Sequence, residues 1–212
     1  MKSSHASLCA TLALAALAGA AAVLPVRGWA HGSAGQGGPA TGVVWPDGSG
    51  YTRSERRYAI PDLLLTDSEG RRVRLRELLA TDEPVMVNFI FTTCATICPV
   101  MVKVFSEVPQ RLGADAARLR MVSISIDPDH DTPARLKAYA REYGQGARWT
   151  FLTGSVQDIN AIQRAFASYR GDKMNHEPVT LLYGAPGRPW VRLDGFASAS
   201  ELAAEFRKVA FK

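Results

Sequence analysis

Val87-Asn88-Phe89-Ile90-Phe91-Thr92-Thr93-Cys94-Ala95-Thr96-Ile97-Cys98-Pro99 joins an apolar run to two cysteines and a proline. The run begins at Val85 and reads as a strand buried on both faces, of the kind found at the centre of a parallel or mixed sheet. Proline is favoured in the first turn of a helix, so the cysteines fall at a strand-to-helix junction. Thiols at i and i+4 can face one way across a single helical turn. Such a pair can hold a soft metal ion between two thiolates, or close a short disulfide. A purely structural bridge is the weaker reading, because so local a loop constrains little of the unfolded chain. Cys98, beside Pro99, is placed near the helix N-terminus, where the dipole and free amides favour thiolate over thiol.

Working outward, strands and helices alternate. Leu63-Leu64-Leu65 and Val73 to Leu75, joined through Asp67-Ser68-Glu69-Gly70, read as a short hairpin. Val100, Val104, Val108 and Leu112 recur at helical spacing. Arg120 to Ile126 is a second buried strand. Thr132 caps the next helix, Pro133 opens it and Gly144 ends it. Trp149 to Leu152 is a short strand, and Val156 to about Phe166 a helix. Val179 to Tyr183 and Trp190 to Leu193 flank Ala185-Pro186-Gly187 as a hairpin. A helix from Ala199 to about Val209 closes the chain. The pattern predicts an α/β sandwich: a mixed central sheet flanked by helices, with an added N-terminal hairpin. Such sheets place their chemistry at the carboxyl ends of central strands.

The N-terminus resembles an export signal. Met1 and Lys2 precede Ser7 to Val26, a stretch rich in Ala and Leu and almost free of charge, and Gly28-Trp29-Ala30 offers small residues for cleavage. The stretch is also close to the length that spans a bilayer, so a cleaved signal and a retained membrane anchor both remain open. Either one places the rest of the chain outside the cytoplasm, in the periplasm or tethered to the membrane. Cys9 has no small-residue cleavage pattern before it, so no lipoprotein anchor is read there. The expected organisation is a leader over 1–30, a Gly-, Ser- and Pro-rich linker over 31–57, and one domain over 58–212. The formal charge of +5 is mild for 212 residues. No run of Lys or Arg with interleaved aromatics supports nucleic-acid binding.

Two thiolates select soft metals, and a third ligand is to be sought among the histidines. His176 enters the strand Val179 to Tyr183 from the loop Asp172-Lys173-Met174-Asn175-His176-Glu177-Pro178. His130, amid Asp127-Pro128-Asp129-His130-Asp131, suits a hydrogen-bonded surface position better than a soft metal. His31 lies in the Gly-rich tail. Read from the residues alone, His176 is better explained as a solvated loop histidine than as a ligand. Three residues separate Cys94 from Cys98, where dithiol reductases of this layout typically have two. The extra residue makes room for an ion between the sulfurs.

Thr92-Thr93-Cys94-Ala95-Thr96-Ile97-Cys98-Pro99, Ser125-Ile126-Asp127-Pro128-Asp129-His130-Asp131-Thr132-Pro133 and the later His176 resemble the Sco/SenC family in order and spacing, from about Tyr58 to Lys212. The resemblance implies a thioredoxin-like fold and copper, as Cu(I) or Cu(II), ligated by Cys94, Cys98 and His176. It implies a metallochaperone that assists assembly of the binuclear copper centre of cytochrome c oxidase, with a subunit of that enzyme as the copper-receiving client. Some members of the family act as thiol–disulfide reductases, for which Cys94 and Cys98 would be the catalytic pair. It also places the Asp127 to Pro133 loop near the site, with Asp127 and Asp131 shaping that loop or meeting a partner. The chain departs from the family's pattern in having Asn175 and Glu177-Pro178 around the histidine, and Ala185-Pro186-Gly187 at the hairpin turn.

Overall fold

The computed structural model describes residues 50–211. The expected leader, Cys9, His31 and most of the expected linker lie outside them. Eight strands form one mixed sheet: β1 (Tyr51–Arg56), β2 (Leu64–Asp67), β3 (Arg72–Arg74), β4 (Val85–Ile90), β5 (Arg120–Ser125), β6 (Trp149–Thr153), β7 (Val179–Tyr183) and β8 (Trp190–Gly195). Their spatial order is β1-β8-β7-β4-β5-β6-β2-β3. β4 lies between β5, which runs parallel to it, and β7, which runs antiparallel. All six residues of β4 are buried, as the apolar run requires of a strand covered on both faces.

Among the described residues five α-helices flank the sheet: α1 (Leu75–Leu79), α2 (Ile97–Leu112), α3 (Pro133–Glu142), α4 (Val156–Ala165) and α5 (Ala199–Ala210). On one face of the sheet the Phe105 ring of α2 lies 6.2 Å from Trp149, and Tyr139 of α3 lies 6.5 Å from Phe151. The same face carries a buried polar trio, in which Trp149 Nε1 donates to Ser123 Oγ and Ser123 Oγ donates to Asn88 Oδ1. On the other face Phe89 meets Phe166, at the end of α4, and Phe166 packs on Tyr58 and Trp190. α5 lies beside α2 on the first face, where it and the chain just past β7 approach so closely that a Cβ at Gly184 would sit 2.4 Å from the Val209 carbonyl oxygen.

The N-terminal hairpin is present as β2 and β3, paired antiparallel. Thr132 caps α3 by accepting from the Arg135 amide, with Pro133 behind it in the first turn. Two expectations need correction. Tyr51–Arg56, expected within the linker over 31–57, is a strand paired with β8 along its whole length. The ordered fold therefore starts upstream of Tyr58. In addition, α2 begins at Ile97, and its buried face is Cys98, Met101, Val102, Phe105, Val108 and Leu112. Val100, expected in the apolar stripe, is exposed instead. A valine every fourth residue drifts around a helix of 3.6 residues per turn, and the true stripe includes Met101 and Phe105.

Candidate metal and thiol site

β4 ends at Ile90, and the chain turns before entering α2, with the Cys94 amide donating to the Phe91 carbonyl at 3.2 Å. Two aspartates secure this turn. The fully buried Asp131 carboxylate accepts from the Thr92 amide at 3.0 Å, from the Thr92 hydroxyl, and from Ser125 Oγ at 2.6 Å. Asp127 accepts from Thr93 Oγ1 at 3.4 Å, and its own amide donates to Ser125 Oγ at 3.0 Å. Both aspartates therefore shape the loop, one of the two roles expected for them. Thr92 and Ser125, which sequence reasoning left without roles, are the donors that make this possible.

The two cysteines are brought together. Both are free thiols, and Cys94 Sγ accepts the Cys98 amide at 3.4 Å. The pair is asymmetric. Cys98 is fully buried, and Cys94 retains 8% exposure. Burial pushes the Cys98 thiol far above the ordinary cysteine range, and the neighbouring Cys94 and Asp131 charges push it the same way. Burial also opposes ionisation of Cys94, but the backbone of Cys98 and Thr96 and their side chains outweigh it, so Cys94 titrates below a free cysteine. This reverses the expectation that Cys98 is the favoured thiolate. The amides at the start of α2 serve Cys94, which sits just ahead of the helix, while Cys98 is inside the first turn and faces the core.

His176 ends a short 3-10 turn, Lys173–Asn175, capped by Asp172, whose carboxylate accepts the Met174 amide at 2.8 Å. The ring is 7% exposed, and its Nε2 lies 3.0 Å from the Phe89 carbonyl oxygen. Ile90 gives its carbonyl to Ile126 on the β5 side. The Phe89 carbonyl therefore faces the β7 side, where ladder pairing stops at Asn88 with Thr180. The imidazole takes the place of the next rung. A carbonyl can only accept, so Nε2 carries the proton and Nδ1 keeps its lone pair. Burial lowers the ring's pKa and the Arg170 charge lowers it further, against the pull of the Phe89 carbonyl and Glu177, so the imidazole is neutral at neutral pH. Asn175, beside it, is exposed. Glu177 turns outward to Arg170, at 2.8 Å.

Among the described residues no group of three or more His, Cys, Asp or Glu side chains is gathered as a metal cage. The sulfurs are together, and the imidazole is engaged with the strand that leads into their loop. His130 does not join them. Its Nε2 is 3.0 Å from the Arg135 guanidinium, five residues along. Lys173, overlooked in the sequence, reaches Asp127 across 46 residues at 2.5 Å. Nothing in the local pattern foretells that contact.

A mixed sheet whose central strand delivers two cysteines to the start of a helix defines a thioredoxin-like protein. The chain belongs to the SCO1/SenC family, whose sequence model matches residues 52–210. It is 32% identical over 140 residues to the SCO1 protein homolog of Bacillus subtilis, an alignment that covers 62% of this chain and 71% of that one. ScoI of Bradyrhizobium japonicum, solved with copper bound, superposes with a TM-score of 0.58 at 26% identity, covering 71% of this chain and 99% of that one. BsSco, described as a member of the Sco family of cytochrome c oxidase assembly proteins with a disulfide switch, superposes with a TM-score of 0.63 at 26% identity, covering 76% and 98%.

Proposed function

We propose that this chain is a copper metallochaperone that holds the ion on Cys94, Cys98 and His176 and passes it to a subunit of cytochrome c oxidase during assembly of the binuclear copper centre. The observation that carries this is the pairing of two free sulfurs, four residues apart, at the exit of a central strand whose last open carbonyl is held by a neutral imidazole. Thiolates and a neutral imidazole are a donor set that suits Cu(I), and a Cu(II) ion draws more strongly on the imidazole. The copper bound by the Bradyrhizobium ScoI and the assembly role in the description of BsSco support the same reading. The 1–30 segment is read as a cleaved export leader or a retained anchor, and the stretch up to Gly50 as a linker, which would put the domain outside the cytoplasm, in the periplasm or tethered to the membrane. Among the described residues no helix is long and apolar enough to cross one.

The test is copper titration of the reduced protein, with wild type compared to the Cys94→Ser/Cys98→Ser double variant. Stoichiometric binding by wild type and its loss in the double variant is the expected result. Binding that survives both substitutions defeats the site.

The asymmetry of the thiols favours a second activity on the same residues. Cys94 is the attacking thiolate toward a disulfide of an exported client, and Cys98 resolves the mixed disulfide. One turnover leaves a Cys94–Cys98 disulfide here and a dithiol on the client, a two-electron transfer. His176→Ala separates the activities, because it abolishes copper binding and leaves disulfide reduction intact. Reduction no faster than that by free dithiol rules the second activity out.

A further inference from the structure

Lys173 stands at the crossing of two connections that nothing in the expected chemistry requires. Its Nζ donates to Asp127 Oδ2 at 2.5 Å, and its backbone carbonyl accepts the His176 amide at 3.1 Å. One residue thus grips the Asp127 loop with its side chain and the histidine with its main chain. The anchor at the far end is firm. The Asp127 side chain is 11% exposed, its amide is tied to Ser125, and the same oxygen Oδ2 accepts from Thr93, directly before Cys94. The ammonium also lies 5.6 Å from the centroid of the Phe91 ring, in the turn leading to the cysteines.

The backbone of His176 is therefore referenced, through Lys173 and Asp127, to the loop that carries Cys94. Its ring is referenced independently to the Phe89 carbonyl. These are different kinds of restraint. The ring contact is a single neutral hydrogen bond, whereas the Lys173 contact is a charge-assisted one to a mostly buried carboxylate. The histidine can release Phe89 and turn its ring while its main chain stays where Lys173 holds it.

We propose that Lys173 is a positioning residue that latches the His176 segment to the cysteine loop, so that the imidazole can leave Phe89 for the sulfurs without loss of register. This rests on the copper-site reading given above and assigns the element that keeps the third ligand within reach. Lys173 touches neither sulfur nor metal in this role. Removing it frees the turn as a whole, and the imidazole is lost from the site more often.

Hydrogen exchange on the metal-free, reduced protein tests the latch without copper. Lys173→Met raises exchange at the His176 amide about fivefold, the scale of one partly exposed ion pair. Lys173→Arg, which keeps the charge and a donor, restores it to within about twofold. Lys137→Met is the control, because Lys137 pairs with Glu69 at 2.6 Å with 37% side-chain exposure, against 38% for Lys173. Asp127→Asn combined with Lys173→Met adds less than the two single effects, since both break one link. An unchanged His176 amide in Lys173→Met, or an equal rise in Lys137→Met, overturns the proposal. Transfer of copper from the loaded protein to a chelator is then faster in Lys173→Met and normal in Lys173→Arg. Indistinguishable transfer rates also overturn it. If wild type binds no copper while the exchange results hold, the latch stands and the chaperone reading falls.

Discussion

Asp131→Ala is the substitution from which the most can be calculated. The carboxylate is fully buried and accepts from the Thr92 amide, the Thr92 hydroxyl and Ser125 Oγ. Ser125 is itself fully buried, so its hydroxyl cannot turn to water, and an orphaned buried donor costs about 1–3 kcal/mol. Thr92 is half-buried, and its two donors recover part of their loss from solvent, leaving about 0.5–1 kcal/mol. Emptying the carboxylate's volume adds about 1 kcal/mol. The total is about 4 kcal/mol, or a fall in Tm of roughly 8–16 °C for a domain of this size. Asp131→Asn keeps the volume and one acceptor but turns an NH2 toward a donor, so its cost is about 1–2 kcal/mol. Guanidinium denaturation of the reduced, metal-free protein, followed by tryptophan fluorescence, measures both. The reasoning fails if Asp131→Ala costs less than about 1 kcal/mol, the value of a single ordinary hydrogen bond. It also fails if the asparagine variant is as costly as the alanine variant.

Limited alkylation with iodoacetamide labels Cys94 well ahead of Cys98, and the Cys94 rate persists below the roughly pH 8.5 at which a free cysteine goes quiet; peptide mass spectrometry giving equal rates would contradict the assigned asymmetry. His176 has a lowered pKa in the folded state, so the unfolded chain takes up a proton near pH 6.5 while the folded chain resists until lower pH. Its contribution to stability is therefore present above about pH 6.5 and lost as pH falls below that. His176→Gln flattens this part of the stability profile, and an unchanged slope in the variant would show that the ring is not buried as a neutral base. Gly184→Ala drives a methyl against the Val209 carbonyl and costs about 1–3 kcal/mol, read by thermal melting; a stabilised variant would mean that α5 yields freely.

What could be read from the sequence depended on the range of the forces involved. The buried strand Val85–Ile90, the Thr132-Pro133 start of α3 and the turns at Gly144 and Ala185-Pro186-Gly187 are specified within a few residues, and all of them are in place. β1 was not legible, because Tyr51–Arg56 follows a low-complexity stretch and carries charges on an outer strand. Its place comes from pairing with β8 and from Arg53 and Tyr51 reaching the buried Glu205 of α5, more than 150 residues away. The candidate site divides the same way. Cys94 and Cys98 announced themselves through spacing, but which sulfur ionises could not be read from a helix-terminus argument alone. The amide that stabilises the Cys94 thiolate belongs to Cys98, and Cys98 itself faces the core. Lys173 had no signal at all, being an ordinary loop lysine until the fold brings it to Asp127.

The polar trio in the core has a bearing on assembly. Asn88 and Ser123 lie directly opposite each other in the parallel β4–β5 ladder, and their hydrogen bond works only in that alignment. A slip of one residue would set Asn88 against Val122 or Ile124 and take from its buried Oδ1 the Ser123 hydroxyl, its one hydrogen-bond donor among the described residues. Asn88 thus acts as a key that admits one alignment of the two innermost strands. That alignment also sets how high the Cys94 turn stands relative to Asp127 and Asp131, which follow the end of β5. A side chain two rungs below the chemistry therefore decides whether the sulfurs and the carboxylates that steady them arrive at the same level.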